Sequence, residues 1–242
     1  MSTADIQTLF EAGTHFGYLR ARRHPTASPY LFGTKDRTDI FDLEETTKRL
    51  DAAVAFATSL AASGKQVLFV GGKNEAIGIV KDAAEKVGAP YVAGRWIGGT
   101  LTNFKNIRKR IDRLEKLTSE RASGELEKYT KRERLMIDRE ITELLGRFGG
   151  LVKMADLPAA IFIVDTRHEN TAVLEANQLK IPVIGLSSSD CDFSLVRYPI
   201  PGNDTSVRSI ALVANVLADA YAAGKAAAAA SKGVPAKTTE GK

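Results

Sequence analysis

An α/β fold, a three-layer sandwich built on a parallel sheet, follows from three features of this 242-residue sequence. Short apolar runs bounded by Gly, Pro or Lys have the length and β-branched content of buried strands. Amphipathic helical patterns alternate with them, and that alternation requires right-handed crossovers with helices covering both faces of the sheet. One strongly basic helical pair interrupts the alternation, so the fold class is a parallel α/β sandwich carrying an inserted antiparallel helical hairpin.

The opening "MSTADIQTLFEAG" has no basic stretch followed by an apolar core, so it reads as a short amphipathic helix and not as a secretory signal. "YLFGTKDRTDIFDL" consists of two alternating runs around a Gly, Asp and Thr turn, the pattern of a β-hairpin. Helical periodicity follows over 44–63. "KQVLFVG" (65–71) reads as a buried strand, 74–87 as a helix and "PYVAG" (90–94) as a second strand. Phe104, Ile107, Ile111, Leu114 and Leu117 then form a helical stripe, answered by Ile137, Ile141, Leu144, Leu145 and Phe148 on a second helix at 131–148. These two make the hairpin, a coiled coil over 103–148 that can project from the sheet. "AAIFIVD" (159–165), a helix at 168–179, "IPVIGLS" (181–187) and a helix at 205–223 complete the alternation. The sandwich thus spans 1–102 and 149–224, and the low-complexity stretch 225–242 is expected to be disordered.

Composition narrows the function. Apolar content of 44% supports one substantial core, and a net charge of +5 suits an anionic partner. The lone cysteine, Cys191, excludes an intrachain disulfide and a multi-cysteine zinc site. "ALVANVLADAYAAGKAAAAA" is mostly alanine and is broken by Asp219, Gly224 and Lys225, which makes a poor membrane span. The chain reads as soluble, with no membrane partner.

A doubly wound sheet raises the prospect of a nucleotide- or phosphosugar-binding enzyme using "VGGKNEA" as its phosphate turn. The spacing matches neither dinucleotide nor P-loop fingerprint, so a plain strand-to-helix turn with Asn74 near the cap is the simpler reading. His15, His24 and His168 lack the i, i+3 or i, i+4 partners of a metal helix. Asp165 reads as the cap of the helix that follows it, and Asp190 and Asp192 alone make a weak magnesium site. Neither a cofactor nor a catalytic set is specified.

Positive charge, by contrast, gathers in three places. Arg20, Arg22 and Arg23 lie near the N-terminus, Arg95 beside Trp96, and Lys105, Arg108, Lys109, Arg110, Arg113 and Lys116 on the hairpin. Such groups reward a polyanion through counterion release, and arginine adds bidentate phosphate contact. In "RWIGGTLTN", Gly98 and Gly99 permit close backbone approach, Thr100 and Thr102 offer small polar groups, and Thr102 or Asn103 can cap the basic helix. A folded RNA surface of phosphates and 2′-hydroxyls suits that loop. Trp96 reads equally as a core residue.

The phrases "LFEAGTHFG", "FGTKDRTDIFDLEET", "GRWIGGTLTNF", "LPAAIFIVDTRHENTAVLEANQLKIPVIGL" and "IPGND" occur in an order and at intervals that closely resemble the bacterial small-subunit ribosomal protein S-two family, over residues 5 to about 222. The resemblance implies a flavodoxin-like (Rossmann-like) sheet of five parallel strands, the fifth near "RYPIPGND", and no catalysis. It implies a cytoplasmic protein in the small (30S) ribosomal subunit that binds 16S rRNA, contacts neighbouring ribosomal proteins and helps dock the mRNA-binding ribosomal protein S-one. Arg95 and the turn from Lys105 to Arg110 would then meet phosphates, with Arg20, Arg22 and Arg23 as a second contact. Asn203 and Asp204 would cap the last helix. Tyr18 stands where many relatives carry a second histidine, and Arg197 where an aspartate is common, so no metal ligands are carried over.

Overall fold

The computed structural model of the chain describes residues 4–232. Its elements run α1 (Ile6–Glu11), β1 (Phe16–Leu19), β2 (Leu31–Lys35), β3 (Thr38–Phe41), α2 (Leu43–Ala62), β4 (Val67–Gly71), α3 (Asn74–Val87) and β5 (Tyr91–Ala93). They continue with α4 (Phe104–Ala122), α5 (Lys131–Phe148), β6 (Ala160–Val164), α6 (Asn170–Gln178), β7 (Val183–Ser187), β8 (Tyr198–Pro201) and α7 (Val207–Lys232).

Strands β4 to β8 form one parallel sheet in the order β5-β4-β6-β7-β8. The chain moves from β4 out to the edge at β5 and returns on the other side of β4, so the winding reverses between β4 and β6. All residues of β4, β6 and β7 are buried, as a sheet covered on both faces demands. Alternation along the strands divides the core. Val67, Phe69, Phe162, Val164, Ile184 and Leu186 pack with α2, α3 and α7, while Leu68, Val70, Ile161, Ile163 and Val183 pack with α6, α4 and α5. Phe69 meets Phe162 edge-on with centroids 5.5 Å apart, an arrangement that adds about 0.5–1.5 kcal/mol to their burial.

Between β5 and β6, α4 buries Ile107, Ile111, Leu114 and Leu117, and α5 buries Ile141, Leu144 and Phe148. These side chains join the core that includes Leu68 and Ile163, so the pair is rooted on the sheet. Arg113 pairs with Glu140 at 3.2 Å and Arg121 with Asp138 at 3.5 Å. Partner numbers fall along α5 as they rise along α4, which makes the two helices antiparallel. A capping box of Thr130 and Glu133 starts α5.

Near the N-terminus the expected hairpin is present as β2 and β3, but its turn is Asp36–Arg37, with φ of 48° and 62°. Two consecutive positive φ values match the twist of a two-residue hairpin. Strand β1, which the sequence does not announce, adds to β3 and makes an antiparallel sheet in the order β1-β3-β2. At the other end, α7 continues to Lys232, past the expected limit near 224. Alanine has the highest helix propensity, and a run of it prolongs a helix already nucleated on the core. The remainder of the expected disordered tail, 233–242, lies outside the described residues. By length and composition alone α7 could cross a membrane. It instead buries Ile210, Val213, Ala214, Leu217 and Tyr221 in the core it shares with α2 and α3, the role of a core helix.

Candidate nucleic-acid interface

The loop between β5 and α4 is organised by one carboxylate. Glu175 lies on α6 within the buried stripe of Ala172, Val173 and Ala176. Its Oε1 accepts from Trp96 Nε1 at 3.1 Å and from the Gly99 N–H at 2.7 Å. Its Oε2 accepts from the N–H groups of Leu101 (3.0 Å) and Thr102 (3.1 Å) and from Thr102 Oγ1 (3.1 Å). Burial by itself would raise this carboxyl, but the donated N–H bonds prevail and hold it below the ordinary glutamate range. Gly99 turns there with φ of +87°, a conformation costly for any residue with a Cβ. The sequence signal for the clamp is an acid set among buried apolar positions of α6, and residue-type reasoning passes over it.

That clamp fixes where several of the predicted contact residues lie. Trp96 is buried with its N–H spent on Glu175, so of its two readings the core residue holds. Thr100 is also buried, donating to the Ile97 carbonyl at 2.6 Å. Asn103 occupies the cap position of α4 without a side-chain cap bond, and Thr102 is bound to Glu175, so neither side chain caps the helix. Gly98 and Asn103 remain exposed.

The cations divide in the same way. Arg108 donates to Asp112 (2.9 Å), to Glu115 (3.1 Å) and to the carbonyls of Val152 and Met154 (3.3 and 3.4 Å), bracing α4 against the segment that leads into β6. Arg23 binds Asp39 through two nitrogens and Thr34 Oγ1 at 2.8 Å, fastening the small sheet. Arg113 is paired with Glu140 and Lys116 with Glu120. Arg20, Arg22, Arg95, Lys105, Lys109 and Arg110 are exposed and, among the described residues, have no carboxylate within 4.0 Å. Two clefts flank the segment leading into α6. One, about 400 Å³, is lined by Arg22, Arg23, His24, Arg167, Asp190 and Asp192. The other, about 580 Å³, is lined by Gly72, Arg95, Trp96, Gly98, His168 and Glu169. Groups more than seventy positions apart in sequence thus meet around one helix start.

At the reversal between β4 and β6, where a doubly wound enzyme would seat its ligand, the chain has filled the place itself. Lys73 Nζ lies 2.5 Å from Asp165 Oδ2, 3.1 Å from Asp204 Oδ2 and 3.3 Å from Tyr18 Oη. Burial alone would lower the ammonium, but Asp204 and Asp165 outweigh it and push it up. A Cβ at Gly72 would collide with Glu169 Oε1 and the Gly94 carbonyl, so this glycine serves internal packing. Asp165, Cys191 and Asp204 bring ligand atoms within 4.8 Å of one another, yet the ammonium already supplies the positive charge a metal would bring. Burial and the nearby Asp165 push the Cys191 thiol up to about 12, far from an activated nucleophile. Asp165 also accepts from the N–H groups of Arg167 and His168, bracing the turn before α6. Asn203 accepts from Thr205 and Ser206, but Asp204 is drawn into the buried cluster, so the expectation that it caps the last helix is corrected. Lys73 holds the cap position of α3 and Asn74 is the first helical residue after it, near the cap as the sequence suggests.

The family model described as Ribosomal protein S2 matches residues 9–224. Curated relatives named small ribosomal subunit protein uS2 align along nearly the whole chain. That of Syntrophobacter fumaroxidans is 41% identical over 225 residues, covering 93% of this chain and 82% of the relative. Those of Chloroherpeton thalassium and Rhodococcus opacus are each 42% identical, over 91% and 93% of this chain and 88% and 78% of their own lengths.

Proposed function

Because the chain belongs to the ribosomal protein S2 family, we propose that its structural role in the small ribosomal subunit is carried out by gripping 16S rRNA without catalysis. The family is structural and not enzymatic, which sets aside the nucleotide- or phosphosugar-enzyme reading. The observation that carries the RNA reading is the division of cations around the Glu175 clamp. Arg95, Lys105, Lys109 and Arg110 stand exposed and unpaired beside a backbone held rigid from Trp96 to Thr102. Cations already paired would have to break those pairs to neutralise phosphate, whereas these four release counterions at no such cost.

The pair α4 and α5 serves as the coiled-coil hairpin that extends this basic surface, and Arg20 and Arg22 supply a second contact next to the cleft that Arg22 borders. Neighbouring small-subunit proteins, including the mRNA-binding protein S-one, dock on faces the RNA leaves free. The test is sedimentation of the chain with small subunits from its own cells after a moderate-salt wash. Retention is expected. Loss at low ionic strength, or micromolar binding of a nucleotide by calorimetry, would overturn the reading.

A further inference from the structure

Of the two clefts beside the start of α6, one joins a buried carboxylate to an exposed, unpaired cation. It lies where the ends of β4 and β5 meet the turn into α6, has a volume of about 580 Å³, and is lined by Gly72, Arg95, Gly98, His168, Glu169 and Thr171 among others. Glu169 is 3% exposed and forms the floor, whereas Arg95, Gly98, His168 and Thr171 are exposed and form the rim. A Cβ at Gly98 would meet nothing within 4 Å, so the rim is open there. Gly72 joins floor to rim. A Cβ on it would collide with both Glu169 Oε1 and the Gly94 carbonyl, so the buried carboxylate sits beside the backbone that leads directly into Arg95.

The two buried glutamates of this region are satisfied to different degrees. Glu175 takes bonds from Trp96, Gly99, Leu101 and Thr102. Glu169 accepts from His168 Nδ1 at 2.8 Å and lies against the Gly72 N–H, yet burial outweighs these donors and pushes it above the ordinary glutamate range. It is a carboxylate short of donors, and it borders the cleft. A bare phosphate on the floor would be repelled by Glu169, and a metal ion at the rim by Arg95, so a ligand of either single sign is disfavoured. A nucleotide within an RNA carries both complements, a phosphate for Arg95 and a base edge for Glu169. Guanine places two donors, N1–H and N2–H, side by side, whereas adenine, cytosine and uracil each set one donor beside an acceptor that a carboxylate repels. In a duplex those donors are spent on pairing, so only an unpaired, unstacked guanosine offers them. We infer that this cleft receives one extruded guanosine of the bound RNA, its N1–H and N2–H donated to Glu169 and its phosphate held by Arg95. The inference rests on the RNA-binding reading and adds one base-specific contact to a grip otherwise made through phosphates. A free nucleotide lacks the flanking phosphates that meet Lys105, Lys109 and Arg110, so micromolar affinity for one is not expected.

The test uses small subunits stripped of this protein by salt and refilled with the full chain or a variant, then probed with kethoxal, which adds across N1 and N2 of accessible guanines. The wild-type chain protects at least one guanine. Glu169→Gln sets an amide NH2 against the guanine donors, so the reactivity of that base rises about tenfold while the chain stays bound. Thr171 is exposed at the rim, so Thr171→Trp narrows the mouth with the carboxylate left in place, and it exposes the same guanine. Unaltered thermal unfolding verifies the fold of each variant, and where Glu169→Gln unfolds, Thr171→Trp decides. A guanine pattern that neither variant changes overturns the inference. So does a rise in reactivity of all four bases together under base-general probes, the mark of a merely structural Glu169. A photocrosslinker at position 171 that captures protein instead of RNA also overturns it and assigns the cleft to a protein partner. If the wild-type chain refills the subunits yet protects no guanine, the cleft alone is wrong. Failure to refill them at all overturns both readings.

Discussion

One carboxylate, Glu175, fixes where the backbone of residues 96–102 runs, and charge-assisted bonds to a buried acceptor are among the stronger single contributions in a fold. Glu175→Gln keeps the shape but loses the charge, and we expect a loss of about 2 kcal/mol at pH 7 by urea unfolding. The folded carboxyl lies below its unfolded value, so this stabilisation is present above the ordinary glutamate pKa of about 4.3 and fades as pH falls through the lower folded value. The gap between wild type and Glu175→Gln should therefore close in acid. Adjacent residues of α4 should behave in opposite ways. Arg108→Ala, which removes a brace on Val152 and Met154, should cost about 1–2 kcal/mol of stability. Lys109→Ala with Arg110→Ala should leave stability within about 0.5 kcal/mol while lowering the salt slope of RNA binding by about 2. An unchanged slope would remove those two residues from the interface.

Helix α7 packs on α2 so closely that one glycine decides the fit. A Cβ at Gly224 would collide with the Thr58 carbonyl oxygen and lie 2.7 Å from the Ala61 Cβ. In an open helix Gly→Ala would stabilise by about 1 kcal/mol, but overpacking costs about 1–3 kcal/mol. Gly224→Ala should therefore lower the thermal midpoint, and a raised midpoint would show that α7 does not approach α2 this way. The pair α4 and α5 was legible from its 3.6-residue stripe, because burial of Ile107, Ile111, Leu114 and Leu117 follows that period. Strand β1 was not legible, since four residues next to three arginines carry too short a pattern to stand out. Its pairing with β3 depends on contacts the local sequence does not encode.

Across the molecule, the sheet's reversal point is closed by Lys73 between Asp165 and Asp204, which ties the ends of β4 and β6 to the start of α7. Burial, and then the charge of Asp165, raises Asp204 to about 7, with Lys73 opposing. A carboxyl raised on folding binds protons more tightly in the native state, so its contribution to stability declines as pH rises from about 4 to about 7. Asp204→Asn should flatten that decline in urea midpoints measured at pH 5 and pH 7.5, and a slope equal to wild type would place the titration elsewhere. The same closure explains why an enzyme-like scaffold need not bind a nucleotide: its customary ligand position holds an internal ion pair.

The sequence by itself determined the buried strands, the helical stripes and the concentration of basic residues, because strand alternation, helix period and composition are local properties. Tertiary structure alone decided which of those charges remain available. Lys73 and Asp204 are 131 positions apart, and Glu175 reaches back 76 positions to Gly99. Whether a charged side chain is a brace or a free contact depends on the partner that the fold delivers within hydrogen-bond reach, and Coulomb and hydrogen-bond energies fall too steeply with distance for sequence spacing to reveal it.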